Sequence, residues 1–240
     1  MTDTINQAID YQAAGKTYRG HLLYRRGGRP DRGLLMAPNF FGISAAALAQ
    51  AERRLDDRSV ILVLDPFGAT VRPENPEQAM AAMAEARRDS AALRGALRAA
   101  FATLKKEAGK LGVEDSRLAV FGFCFGGACV LELARDGVAA RAFVSFHGLL
   151  DTDQRAAETP AGPVLVLNGA DDPMVDAAAQ AAFKQEMDRV GADWTLVNYG
   201  GTVHSFTDPG ANLPGRSMYS PGVARRAFAA MDDLLEEVFG

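Results

Sequence analysis

The chain alternates short apolar segments with longer segments of helical spacing, and this alternation restricts its fold more than any other feature. The apolar segments are rich in Val, Leu, Ile and Phe and are predicted to be buried strands at Leu34–Ala37, Val60–Leu64, Leu118–Phe121, Ala142–Phe146, Val164–Leu167 and, more weakly, Thr195–Tyr199. Helices are predicted between them at Ser44–Asp56, Pro76–Lys106, Gly127–Arg135, Asp176–Val190 and Pro221–Val238. The pattern predicts an α/β fold with a mainly parallel central sheet, helices on both faces and an antiparallel edge strand around Thr17–Tyr24.

No segment rich in Gly, Ser or Pro divides the chain, so residues 1–240 are predicted to form one domain. Apolar residues make up 48% and charged residues 23%, which is ordinary for a globular protein. The formal net charge of -4 gives no reason to expect a nucleic-acid partner. The N-terminus lacks the pattern of a secretory signal, and the longest aliphatic run, Val60–Leu64, is far shorter than the roughly 20 residues of a membrane span. We therefore expect a cytoplasmic protein with no membrane partner.

The segment Gly122-Phe-Cys124-Phe-Gly126-Gly127 follows one predicted strand and leads into a predicted helix. It matches the G-x-S-x-G nucleophile pattern with cysteine in place of serine. The sharp turn of this motif needs small flanking residues, and a helix N-terminus favours the reactive thiolate. These features predict Cys124 as a nucleophile. Cys129 lies inside the following helix and is predicted to be a small core residue.

Two other interpretations of this glycine-rich turn fit the sequence less well. A dinucleotide-binding loop needs G-x-G-x-x-G, but Cys124 occupies the place of the middle glycine, and the Lys-Ser/Thr of a phosphate-binding P-loop is absent. A buried structural cysteine is the second alternative, and it is disfavoured by the rest of the chain, where an acid and a base follow in order.

The acid and the base are predicted after two later strands. The turn Asn168-Gly-Ala-Asp171-Asp172-Pro follows Val164–Leu167, and we predict Asp172 as the acid, with Asp171 as the alternative. His204 follows Thr195–Tyr199 and is the predicted base. The chain order nucleophile, acid, histidine is that of α/β-hydrolases. In this arrangement the histidine would activate Cys124 and later a water molecule, while the aspartate orients the imidazole.

With these motifs in place, the chain resembles the dienelactone hydrolase family of the α/β-hydrolase fold. The resemblance is carried by the cysteine turn, by Gly169-Ala-Asp-Asp172-Pro-Met-Val175 and by His204-Ser-Phe206, and it spans nearly the whole chain. It implies an oxyanion hole formed by the backbone N–H groups of Phe125 and Phe40. The residues that we expect to contact substrate are Asn39, Phe41, Phe67 and His147.

Two positions depart from the pattern of the dienelactone-cleaving members. Asn39 stands where those members have a glutamate beside the resting cysteine, so Cys124 is expected to pair with His204 even in the free enzyme. Asp208 stands where they have an arginine for the substrate carboxylate, so an anionic dienelactone is not the expected substrate. The substrate class that remains is an uncharged or cationic ester or lactone.

The predicted function is therefore hydrolysis of a small carboxylic ester or lactone through an acyl-enzyme formed on Cys124. Thioester hydrolysis or acyl transfer at the same site is one alternative, and a non-catalytic protein with a reactive thiol is another. The three histidines and two cysteines lack the spacing of a zinc site, so neither a metal nor another cofactor is expected.

Overall fold

The computed structural model describes residues 3–240, which divide into two compact units, one extending to Val120 and the other spanning Phe121–Gly240. The first unit contains β1 (Thr4–Ala13), β2 (Lys16–Arg25), β3 (Arg32–Ala37), α1 (Ala45–Arg54), β4 (Ser59–Val63), α2 (Pro76–Arg87) and α3 (Ser90–Gly109). A short 3-10 turn follows at Asp115–Arg117. The prediction that residues 1–240 form one domain stays a prediction.

The strands of the first unit lie in the order β1-β2-β4-β3. β3 and β4 run parallel, whereas β1 and β2 form an antiparallel hairpin that joins β4 along β2. All five residues of β4 are buried, which explains its unbroken apolar sequence. The predicted antiparallel strand near Thr17–Tyr24 is confirmed as β2, but it is not the edge, because the unpredicted β1 lies outside it.

The prediction of one continuous helix over Pro76–Lys106 is wrong, because the structure has two helices there, α2 and α3. The side chain of Asp89 accepts a hydrogen bond from the backbone N–H of Ala92 at 2.9 Å and thereby caps α3. Asp89 itself has an extended backbone, so α2 cannot continue through it. The other predicted helices are confirmed within a few residues at their ends.

The second unit contains, after β5 (Leu118–Phe123), which crosses the boundary, α4 (Phe125–Arg135), β6 (Phe143–Phe146), β7 (Val164–Gly169), α5 (Ala177–Arg189), β8 (Trp194–Tyr199), β9 (Asn212–Leu213), β10 (Ser217–Met218) and α6 (Pro221–Phe239). Its strands lie in the order β5-β6-β7-β8, and β9 and β10 form a separate short hairpin. β6, β7 and β8 pair in parallel. The predicted α/β class with mainly parallel strands is therefore confirmed.

The burial of these strands explains the strength of their sequence signals. Every residue of β5, β6 and β7 is buried, whereas half-buried and exposed residues make up β8. Because β8 lies at the end of the strand order, its sequence is less apolar. The segments that follow the carboxyl ends of β5, β6, β7 and β8 carry Cys124, His147, Asp172 and His204.

Candidate active site

Cys124 is the single residue between the end of β5 and the start of α4. Its backbone has φ 55° and ψ -118°, a left-handed conformation that costs free energy for a residue with a Cβ. Its N–H donates to the carbonyl of Phe146 at 3.0 Å and to Nδ1 of His147 at 3.2 Å. The thiol makes no capping hydrogen bond to α4 and is partly exposed. The turn therefore presents the sulfur as a potential nucleophile.

The turn at Cys124 fits against the segment after β6 because two glycines approach each other. A Cβ on Gly127 would lie 2.8 Å from Cα of Gly148 and 2.7 Å from Oγ of Ser145. A Cβ on Gly148 would meet the backbone of Gly127 at a similar distance. Packing therefore requires a glycine at position 127 of the motif.

Asp172 is 4% exposed and lies in the turn after β7. Its Oδ1 accepts from the backbone N–H of Met174 at 2.9 Å, which leaves Oδ2 to interact with His204. The neighbouring Asp171 is exposed and contributes its backbone N–H to the carbonyl of Thr202. Of the two aspartates considered from the sequence, Asp172 is the one whose carboxylate meets the histidine.

His204 lies in the loop after β8 and is 2% exposed. Its Nδ1 is 2.7 Å from Oδ2 of Asp172, and its carbonyl accepts from the N–H of Met218 on β10 at 3.0 Å. Burial lowers the pKa of His204, but the hydrogen bond that its Nδ1–H donates to Asp172 and the effect of the Cys124 thiol outweigh burial and raise this pKa to about 10. The imidazole is therefore protonated at neutral pH.

The second nitrogen of His204, Nε2, is buried and has no hydrogen-bond partner of good geometry among residues 3–240. The Cys124 thiol is one of the groups that raise the pKa of His204. A buried ring nitrogen that lacks a hydrogen-bond partner is available to a reacting atom near the sulfur. The arrangement can thus transfer a proton to or from a group bound at Cys124.

His147 follows β6, is 2% exposed and has a left-handed backbone with φ 40°. Its Nε2 is 2.8 Å from Oγ1 of Thr207, and its ring centroid is 5.1 Å from that of His204. Both ring nitrogens are therefore engaged by protein atoms. The substrate contact predicted for His147 stays a prediction. Thr207 carries no motif that sequence reasoning could have recognised.

Four other predicted site residues lie in the first unit. The turn after β3 is closed by Asn39, whose Oδ1 accepts from the N–H of Phe41 at 3.0 Å. The rings of Phe40 and Phe41 are 4.6 Å apart and half-buried. Phe67 is buried, and a Cβ on Gly42 would approach its ring to 2.9 Å. The oxyanion role of Phe40 and the substrate contacts of Asn39, Phe41 and Phe67 stay predictions.

Phe125 is the first residue of α4 and is 1% exposed. The first N–H groups of a helix point away from it along the axis, toward the positive end of the helix dipole. An N–H at this position is suited to stabilise negative charge on an atom bound at the preceding Cys124.

No helix within residues 3–240 combines the length and apolar character needed to cross a membrane.

Comparison with family models matches residues 20–239 to the dienelactone hydrolase family. A probable 2-oxo-3-(5-oxofuran-2-ylidene)propanoate lactonase of Bradyrhizobium sp. is 31% identical over 126 residues, which cover 48% of this chain and 48% of that protein. An uncharacterized protein of Caenorhabditis elegans is 33% identical over 134 residues, which cover 53% of this chain and 84% of that protein.

Solved structures resemble the chain over nearly its full length. A structure named m3DLH is 34% identical, with a TM-score of 0.87 and 99% of both chains covered. A dienelactone hydrolase-like promiscuous phosphotriesterase from metagenomic libraries is 31% identical, with the same TM-score of 0.87 and the same coverage of 99%. These similarities confirm the predicted α/β-hydrolase fold.

Proposed function

The chain belongs to the dienelactone hydrolase family, and from that premise we propose that it hydrolyses small carboxylic esters or lactones with Cys124, His204 and Asp172 as its catalytic residues. The observation that carries the proposal is the 2.7 Å contact between Oδ2 of Asp172 and Nδ1 of His204, which leaves the buried Nε2 of the imidazole without a hydrogen-bond partner among residues 3–240 and open to a group bound at Cys124. This arrangement supports an orienting role for Asp172 and a proton-transfer role for His204.

In the first step, the sulfur of Cys124 attacks the substrate carbonyl carbon and the carbonyl oxygen becomes negatively charged. The N–H of Phe125 at the start of α4 would stabilise this oxyanion. Protonated His204 then gives its Nε2 proton to the leaving alkoxide as the carbon–oxygen bond breaks. An acyl-enzyme on Cys124 and a free alcohol result.

In the second step, His204 is neutral and accepts a proton from water as that water attacks the thioester. The tetrahedral intermediate collapses, the carboxylic acid leaves and the thiolate of Cys124 is restored beside protonated His204. Asp172 keeps the proton of the imidazole on Nδ1 throughout and stabilises the charged ring.

The proposed substrate is uncharged or cationic. Asp208, at the position four residues after His204, uses Oδ1 to accept from the N–H of Gly210 at 2.8 Å. This carboxylate brings negative charge to the loop of the base and would repel an anionic substrate. We therefore expect neutral esters to be better substrates than monoesters of dicarboxylic acids, which keep one ionised carboxylate.

The test is hydrolysis of p-nitrophenyl acetate by wild type, Cys124→Ala and His204→Ala, with Cys129→Ala as the matched control. Cys129 is a buried cysteine in α4 that lies outside the proposed chemistry. We expect both site variants to lose activity by a factor of about 10³ or more, and the control to keep most of it. Intact mass should show acetyl-enzyme in wild type and none in Cys124→Ala. Full activity of Cys124→Ala would contradict the proposal.

Phosphotriester hydrolysis is a second candidate, because the phosphotriesterase among the similar structures is 31% identical over 99% of the chain. The sulfur of Cys124 would attack phosphorus and expel an aryloxide, and water activated by His204 would then break the S–P bond. Incubation with diethyl p-nitrophenyl phosphate separates the two outcomes. Turnover supports the second activity, whereas a single burst with a stable diethylphosphoryl mass on Cys124 shows inactivation.

A further inference from the structure

His147 connects the two segments that carry the proposed nucleophile and base. Its Nδ1 accepts from the backbone N–H of Cys124 at 3.2 Å, and its Nε2 is 2.8 Å from Oγ1 of Thr207, three residues after His204. Its ring also meets the ring of His204 edge to face at 5.1 Å and 66°. One buried side chain thus contacts both segments.

The contacts determine which nitrogen of His147 carries its proton. A backbone N–H can only donate, so Nδ1 of His147 must be unprotonated where it meets Cys124. The proton therefore lies on Nε2 and is donated to the hydroxyl of Thr207. This bonding pattern requires a neutral imidazole.

The surroundings of His147 also favour the neutral form. Burial lowers the pKa of His147 well below its usual value, and the adjacent His204 lowers it further. Among the described residues, the titratable side chain that meets its ring is that of His204, while Phe123 and Phe206 contribute aromatic contacts. Of two imidazoles in contact, the one that carries the positive charge is therefore His204, which has Asp172 as its partner.

Backbone strain is concentrated on the same residues. Among residues 3–240, four that are not glycine have positive φ, and three of them, Cys124, His147 and Ser205, lie in or beside this network. Each such residue costs roughly 1–3 kcal/mol and persists only where its contacts hold it in place. The hydrogen bonds of His147 reach one strained residue, Cys124, directly and lead through Thr207 to the segment that contains the other, Ser205.

We propose that His147 is a positioning residue that ties the backbone of Cys124 to the loop carrying His204 and so sets the approach of the thiol to the base. This inference rests on the proposed function of Cys124 and His204. The decisive contact is the one from the Cys124 N–H to Nδ1, because it acts on the nucleophile segment itself.

Two amide substitutions separate the two contacts of the imidazole. In His147→Asn the side-chain oxygen can occupy the place of Nδ1, whereas in His147→Gln the longer side chain reaches the place of Nε2 and Thr207. His147→Phe keeps the ring and removes both contacts. Thr207→Val removes the hydroxyl and leaves the side-chain shape, so it tests the second contact alone.

The first readout is alkylation of Cys124 by iodoacetamide at pH 7, followed by intact mass, since it needs no hydrolytic activity. We expect His147→Phe and His147→Gln to react about tenfold more slowly than wild type, and His147→Asn to recover to within about threefold. The second readout is the pH profile of alkyl-ester hydrolysis, whose alkaline limb should move to lower pH in His147→Phe. Thermal unfolding shows whether each variant is folded.

The inference is overturned if all three His147 variants alkylate at the wild-type rate, or if all three lose reactivity equally in step with their melting temperatures. Failure of the proposed function would be seen in a different measurement, because Cys124→Ala would then still hydrolyse the ester. The alkylation rates would still report on positioning in that case, so the two outcomes are distinguishable.

Discussion

The guanidinium of Arg135 and the carboxylate of Glu186 form a bidentate ion pair, with Nε–Oε1 and Nη2–Oε2 distances both 3.0 Å. The two side chains are 1% and 2% exposed, and Arg135 also meets Glu132 at 2.9 Å. The same pair holds the segment after β6, because Arg135 donates to the carbonyl of Leu150 and Glu186 accepts from the N–H of Ala156.

Removing the arginine of this cluster should destabilise the protein more than neutralising one acid. Arg135→Met removes the guanidinium that pairs with two buried carboxylates and is expected to cost about 3–5 kcal/mol, whereas Glu186→Gln should cost about 1–2 kcal/mol. Urea unfolding measures both, with the exposed Arg155→Met as the control. Equal losses for Arg135→Met and Arg155→Met would show that the cluster contributes nothing.

The rate of alkyl-ester cleavage should fall as pH rises through about 10, where His204 loses its proton. An alkoxide leaving group needs that proton, whereas p-nitrophenolate leaves without it. The alkaline limb should therefore be pronounced for ethyl acetate and weak for p-nitrophenyl acetate. Identical profiles for the two esters would count against His204 as the acid.

Stability should also depend on pH through His204. Its pKa is raised from 6.5 to about 10 in the folded protein, so its contribution is complete below pH 6.5 and is lost as pH rises through about 10. The contribution is on the order of a few kcal/mol. In Asp172→Asn the partner charge is gone, and the loss of unfolding free energy between pH 7 and pH 10 should be smaller than in wild type. A slope unchanged by the substitution would contradict this linkage.

A methyl group at Gly127 should disturb the turn of Cys124. Its Cβ would meet backbone at 2.8 Å, so Gly127→Ala is expected to cost about 1–3 kcal/mol and to lower the rate of ester hydrolysis. Gly95, inside α3, is the matched control, because the nearest atom to its added Cβ is 3.9 Å away. Gly95→Ala should stabilise the protein by about 0.5–1 kcal/mol. Thermal unfolding and hydrolysis rates check both.

The two-residue turn between β1 and β2 offers a gain in stability. Ala14 has φ 46° and Gly15 has φ 76°, a pair of left-handed residues typical of a hairpin turn that favours Asn-Gly. Ala14→Asn should raise the free energy of unfolding by about 0.5–1 kcal/mol, and Gly15→Ala should lower it by about 1–2 kcal/mol. Chemical denaturation measures both changes. The prediction is wrong if the two substitutions change the free energy of unfolding in the same direction.

The buried strands were predictable because burial on both faces leaves an uninterrupted apolar sequence, as in β4 and β5. β1 was missed because its sequence, TINQAIDYQA, has many exposed polar residues and lies outside β2. The helix break at Asp89 was missed because helical spacing continues on both sides of it. A capping aspartate inside such a pattern gives only a local signal.

The residues of the candidate active site were likewise predictable only in part. A cysteine between glycines after an apolar strand was visible in the sequence, and so was the order of acid and histidine. The preference for Asp172 over Asp171 and the contact between His147 and Thr207 depend on directions of side chains that meet only in the folded chain. No periodic pattern encodes such contacts.

The loop of His204 is held to the β9–β10 segment by main-chain atoms: Met218 donates to the carbonyl of His204, and Ser220 donates to that of Phe206. Side chains in this segment are therefore free to change while the histidine keeps its place. Leu213 and Tyr219 are exposed there, and Met218 and Tyr219 line a cavity of about 360 Å³. This makes the segment a natural target for directed evolution, in which a randomised library could alter the surface beside the base without erasing the base itself.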